Sequence, residues 1–257
     1  MILDLARQEA GDGPPLVILH GLFGQARNWG TISRGLTDHR HVVALDLRNH
    51  GESPWANSMH YEDMADDVAA VIADLPDGPA DLVGHSMGGK VAMIVALTRP
   101  DLVARLMVVD IAPVSYAGGS LLPYVRAMRA INPEGMTSRK EVDLALEDYV
   151  ADPGIRSFLL TNLVRAGDGF AWGLNLPAIE AGMDTLSGFP DPGGQFDGPT
   201  TFLAGSRSDY VTNHAETEIK RLFPSAEIRR VEGAGHWIHA EAPKIFLEEL
   251  KRFLQIG

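Results

Sequence analysis

The chain has 257 residues, 22 basic against 34 acidic, which gives a formal net charge of -12, and it contains no cysteine. That balance repels phosphate backbones and anionic membrane surfaces, so nucleic acid is not an expected partner. The missing thiols exclude disulfides, thiolate metal sites and a cysteine nucleophile together. A composition of 45% hydrophobic and 22% charged residues is that of an ordinary soluble globular protein, with enough apolar side chain to bury a sheet.

Met1 to Ala10 carries neither the basic region nor the apolar stretch of a signal peptide. The longest strongly apolar run, Val91 to Leu97, falls far short of the ~20 residues that span a bilayer. A cytoplasmic protein without stable membrane insertion is expected.

Short apolar runs at Leu16 to Leu19, Val42 to Leu45, Asp81 to Val83, Leu106 to Val109 and Thr201 to Leu203 each end at polar or glycine residues and read as buried strands. Between them Met64, Val68, Val71, Ile72 and Leu75 fall on one face of a helix, and near the end Phe246, Leu250, Phe253 and Leu254 do the same. Strands alternating with helices predict an α/β fold with a mainly parallel sheet covered on both faces. The alternation stops near Ile111, where strand signals vanish and helical stretches are punctuated by Pro113, Pro123, Pro133, Pro153, Pro177, Pro190 and Pro192. The predicted organisation is a core of residues 1–111 and 199–257 with a helical cap insertion over 112–198. In open sheets of this kind ligands bind beyond the carboxyl ends of the strands, so the residues just after each strand are the ones to inspect.

Gly84-His85-Ser86-Met87-Gly88 fits the G-x-S-x-G pattern of a serine held on a sharp strand-to-helix turn. The pattern alone is weak. Here a strand runs into it and Gly89 to Leu97 leaves it as a helix stopped by Pro100, which is the context the turn requires. A serine hydroxyl needs a base, and histidine suits that task near neutral pH. In chain order the base follows the last strand, which Ala226 to Val231 supplies, so His236 is the expected base and His239 its nearby competitor, placed at the start of the last helix. His20, His50 and His85 flank motifs and read as structural hydrogen-bonding groups.

Acyl transfer puts negative charge on the carbonyl oxygen, so two backbone N–H donors must already face it. Met87 supplies one by following the nucleophile. His20-Gly-Leu-Phe-Gly24 offers the other at Leu22, or alternatively at Phe23. Two aspartates, Asp110 and Asp209, end predicted strands at suitable points to orient the histidine.

Taken together, Leu19 to Gly24, Asp46-Leu-Arg-Asn-His-Gly-Glu-Ser53, Gly84 to Gly89, Asp110-Ile-Ala-Pro113 and Gly235-His-Trp-Ile-His239 resemble the α/β-hydrolase superfamily and, within it, the YbfF and ABHD11 esterase group. The resemblance implies esterase or acyl-thioesterase activity on a small-molecule substrate. It also bears on the acid. Most of the superfamily places it three residues after a strand-ending glycine, but Gly205 is followed at that spacing by Ser208, and Asp209 comes one residue late. The group resembled takes it twenty-four residues past the nucleophile, which gives Asp110, so Asp110 is expected with Asp209 as the alternative.

The implied reaction runs through an acyl-enzyme on Ser86 and calls for no cofactor and no metal. Rival chemistries on the same fold are carbon-carbon bond hydrolysis, cofactor-free haloperoxidase activity and acyl transfer, and a non-catalytic binding protein is a reading of another class. Leu121, Leu122, Val125, Met128, Phe158, Leu159, Leu160, Leu163, Phe170 and Trp172 either roof an acyl pocket or pack the cap against the core.

Overall fold

Leu16, Val17, Ile18 and Leu19 are all fully buried, which only a strand with neighbours on both edges and layers on both faces allows. The computed structural model describes residues 1–116 and 121–256. Its strands are β1 (Arg7–Ala10), β2 (Pro15–Leu19), β3 (His41–Leu45), β4 (Ala80–His85), β5 (Val103–Val109), β6 (Leu163–Ala166), β7 (Gly169–Trp172), β8 (Thr200–Gly205) and β9 (Glu227–Val231). Seven form one sheet in the order β1-β3-β2-β4-β5-β8-β9, parallel except for β1, which pairs antiparallel with β3.

The helices are α1 (Gly30–Arg34), α2 (Tyr61–Ala73), α3 (Met87–Thr98), α4 (Leu122–Ala130), α5 (Arg139–Glu147), α6 (Pro153–Leu160), α7 (Leu176–Ala181), α8 (Met183–Ser187), α9 (Asn213–Leu222), α10 (Ile238–Glu241) and α11 (Pro243–Leu254). Alternate residues of a strand point to opposite faces. Accordingly Val17 and Leu19 join the apolar layer under α2 and α3, while Leu16 and Ile18 join the layer built with Trp29, Phe246, Leu250 and Leu254. The three buried side chains of α11 contribute roughly 1.5–3 kcal/mol each by that burial. Among the described residues no helix is long and apolar enough to cross a membrane.

Between β5 and β8 the chain gives no strand to the main sheet among the described residues. It forms α4 to α8 and, against the expectation that strands vanish here, the antiparallel hairpin β6–β7. Each hairpin strand is four residues long, too short for an alternating pattern to show. The prolines also act differently from separators. Pro123, Pro153 and Pro177 open α4, α6 and α7 from the first turn, where proline's missing N–H deprives no bond.

Candidate active site

Four successive parallel strands are each followed by a non-glycine residue with positive φ: Phe23 (64°), Asn49 (66°), Ser86 (52°) and Asp110 (51°). Such backbone is unfavourable for residues with a Cβ and persists only where its surroundings hold it. For Ser86 the holding is local and steric. A Cβ on Gly84 would stand 2.2 Å from the Gly88 carbonyl oxygen, and one on Gly88 would stand 2.5 Å from that of His20. The Ser86 N–H donates to the Val109 carbonyl at 3.0 Å, tying the turn to β5. Because α3 begins at Met87, that residue's N–H is among the first-turn donors without an intrahelical acceptor.

Asp110 leaves β5 fully buried, its own N–H donating to Leu203 at 2.8 Å. Its Oδ1 accepts from the Gly205 N–H at 2.8 Å, and its Oδ2 accepts from the Ser208 hydroxyl at 2.5 Å and from His236 Nδ1 at 2.7 Å. Both oxygens of this buried carboxylate are therefore hydrogen-bonded. With the His236 proton on Nδ1, Nε2 is left as the ring's acceptor. Tyr210 packs on the same imidazole at 4.3 Å between centroids, and His85 at 4.7 Å. Asp209 is exposed, and among the described residues its side chain makes no hydrogen bond or ion pair, so the structure brings Asp110 and not Asp209 to His236.

Ser86 and His236 border one cavity, with no hydrogen bond between their side chains among the described residues. Such contacts are commonly long in a free enzyme and tighten around substrate. Of the cap residues considered as a roof, Leu121, Phe158 and Leu159 border this cavity, while Val125, Met128, Leu163 and Phe170 are buried in the apolar core.

The loop after β2 is held by buried histidines. His20 donates from Nδ1 to the Gly21 carbonyl and accepts from Leu47 N–H on Nε2 at 2.9 Å. His50 donates from Nδ1 to Arg48 and accepts the Phe23 N–H on Nε2 at 3.3 Å. Phe23's donor is therefore occupied, whereas the N–H of Leu22, a residue that also borders the cavity, has no acceptor among the described residues. Burial lowers the His20 imidazole to about 4 and that of His50 to about 3. His85, driven well below the usual range by burial and by His236 and His239 beside it, donates from Nε2 to the His236 carbonyl at 2.9 Å. His239 lies in the short α10 before the last helix, stacked on Trp29 at 4.4 Å, and burial lowers it to about 4. No cluster of three or more His, Cys, Asp or Glu placed to hold a metal ion occurs among the described residues.

Nothing local in the sequence marks Ser208 or Tyr210 as neighbours of Asp110 and His236. The one available signal is that Ser208 occupies the spacing at which an acid is expected.

A mainly parallel sheet with a serine on a glycine-walled turn, and a histidine and buried carboxylate beyond the strand ends, defines an α/β hydrolase. The chain belongs to that family, whose model (Alpha/beta hydrolase family) matches residues 16–249. It is 43% identical over 248 residues, 94% of this chain and 81% of the relative, to a mouse protein named sn-1-specific diacylglycerol lipase ABHD11. It is 31% identical to Escherichia coli esterase YbfF, covering 96% and 95% of the two chains. Among solved structures, a marine microorganism esterase superposes with a TM-score of 0.94 at 38% identity, over 98% of this chain and 99% of the other. These relatives are named for ester hydrolysis, and the chain is an ester hydrolase of the α/β-hydrolase type.

Proposed function

We propose that the chain cleaves carboxylic esters or acyl thioesters through an acyl-enzyme on Ser86, beneath a cap formed by residues 112–198. His236 is the general base, Asp110 orients it, and the N–H groups of Leu22 and Met87 bind the oxyanion. The observation that carries this reading is the 2.7 Å bond from His236 Nδ1 to the fully buried Asp110. It fixes the tautomer that can take a proton on Nε2 and stabilises the imidazolium that forms.

In the acylation step Ser86 Oγ bonds to the carbonyl carbon while its proton passes to His236. The bond to the leaving oxygen or sulfur then breaks, and that atom carries the proton away. Water, deprotonated by His236, adds to the acyl-enzyme and releases the acid. Two N–H donors aimed at the oxyanion contribute in both steps, and removing one such donor from a site of this kind costs about 10²–10³ in kcat.

A fluorophosphonate probe together with p-nitrophenyl ester hydrolysis tests the reading. Wild type should label on Ser86 and turn over, and Ser86→Ala should do neither while remaining folded. Undiminished turnover by Ser86→Ala would overturn it.

A further inference from the structure

Ser86 stands between two cavities, and both also reach Leu22. One, of about 180 Å³, is bordered by His236, Trp237, Phe158 and Ile155. The other, of about 70 Å³, is bordered by Met87, Tyr61, Lys90, Met183 and Leu186, and its described lining does not include His236.

On the acyl-enzyme reading, on which this inference rests, the chemistry decides which half of the substrate each holds. When the bond between carbonyl carbon and leaving oxygen breaks, that oxygen receives the proton His236 took from Ser86, so the leaving group lies on the His236 side. The carbonyl oxygen points to the N–H groups of Leu22 and Met87. The acyl chain is then directed into the remaining space, the smaller cavity that Met87 borders. The larger cavity shares Ile155, Phe158, Trp237 and His239 with an outer cavity of about 660 Å³, which gives a bulky leaving group somewhere to extend.

The end wall of the small cavity is fastened from both sides. Lys90, one helical turn beyond Ser86, is almost fully buried and donates to the carbonyls of Leu186, Ser187 and Gly188 at 3.4, 3.2 and 2.5 Å. In the ammonium form those bonds use all three protons. Tyr61 donates its hydroxyl to the same Leu186 carbonyl at 2.8 Å. The wall presented by Met183 and Leu186 therefore cannot retreat without breaking these hydrogen bonds. We propose that the chain is selective for short acyl groups carried on bulky, apolar leaving groups, with the acyl chain stopped by Met183 and Leu186 and with Lys90 as the positioning residue that holds that stop in place.

Two substrate series test this on the full chain: p-nitrophenyl esters from acetate to decanoate, which vary only the acyl part, and acetates of ethanol, hexanol and 2-naphthol, which vary only the alcohol. Wild type should lose at least about tenfold in kcat/KM between butanoate and decanoate. Met183→Ala and Leu186→Ala, made separately so that one misfolded variant does not decide the matter, should each raise the decanoate-to-butanoate ratio at least about fivefold while leaving the order of alcohols unchanged. Phe158→Ala should alter the order of alcohols and not the acyl ratio. Preference of wild type for decanoate, or an acyl ratio that moves with Phe158→Ala and not with folded Met183→Ala or Leu186→Ala, would overturn the assignment while leaving the acyl-enzyme intact. Wild type inert to every ester and to the fluorophosphonate would instead sink the parent reading and this one with it.

Discussion

The hydroxyl of Ser208 donates to the same oxygen of Asp110 that accepts from His236, at 2.5 Å against 2.7 Å. The loop after β8, where most of the superfamily is expected to carry its acid, thus reaches the same point in space with a hydroxyl, while the carboxylate itself comes from the end of β5. The charge and its support are split between two strand ends.

Asp110→Asn should lower kcat by about 10⁴-fold, because an amide cannot hold the histidine in the required tautomer. Asp209→Ala, at an exposed position, should stay within about twofold of wild type. Steady-state hydrolysis of one p-nitrophenyl ester by both variants checks this, and a reversed ranking would transfer the role to Asp209.

Ser208→Ala should lower kcat by about 10- to 100-fold with KM little changed, since a hydrogen bond to a buried charge contributes about 1.5–3 kcal/mol. Ser208→Thr keeps the hydroxyl and should recover most of the loss. Equal activity in Ser208→Ala and wild type would show the contact to be idle.

The glycine-flanked turn, the central strands and the α2 and α11 faces were legible because each is encoded within a few consecutive residues. The antiparallel β1 was not, since all four of its residues are exposed and none marks an apolar face. The β6–β7 hairpin escaped for want of length. Ser208 meets Asp110 across 98 residues of sequence and Lys90 meets the 186–188 carbonyls across nearly as many, so neither contact leaves a local pattern. That His50 takes up the Phe23 N–H is likewise disclosed by no spacing.

Gly84→Ala should destabilise the protein by at least about 3 kcal/mol, because its Cβ would meet backbone that cannot yield without opening the nucleophile turn. Urea unfolding followed by circular dichroism measures the loss. A midpoint near that of wild type would mean that the turn is looser than its geometry.

Acid should weaken the fold well above the carboxylate range. His20, His50 and His239, buried neutral at about 4, 3 and 4, bind protons readily once unfolded. The unfolded state then holds more protons than the native state below about pH 6.5, so stability rises with pH across that window and is lost as pH falls. Each imidazole should cost about 1–2 kcal/mol between pH 7 and pH 5. Urea midpoints at pH 7, 6 and 5 should decline steadily, and a flat profile would contradict the burial.

Lys90 works in the opposite window. Burial lowers its ammonium from the ordinary lysine range to about 7, so between pH 7 and 10.5 the unfolded chain binds more protons than the folded one and stability rises with pH. Wild type should therefore gain about 2 kcal/mol relative to Lys90→Met between pH 7 and pH 9. Comparison with the variant is needed because the net charge of -12 makes self-repulsion grow with pH in both proteins alike. Lys90→Met also strips the donor from three carbonyls at the end of α8, which should widen the acyl preference at pH 7. A stability difference that is the same at pH 7 and pH 9 would mean that the amine titrates as an exposed lysine does, and that the wall it holds is open to water.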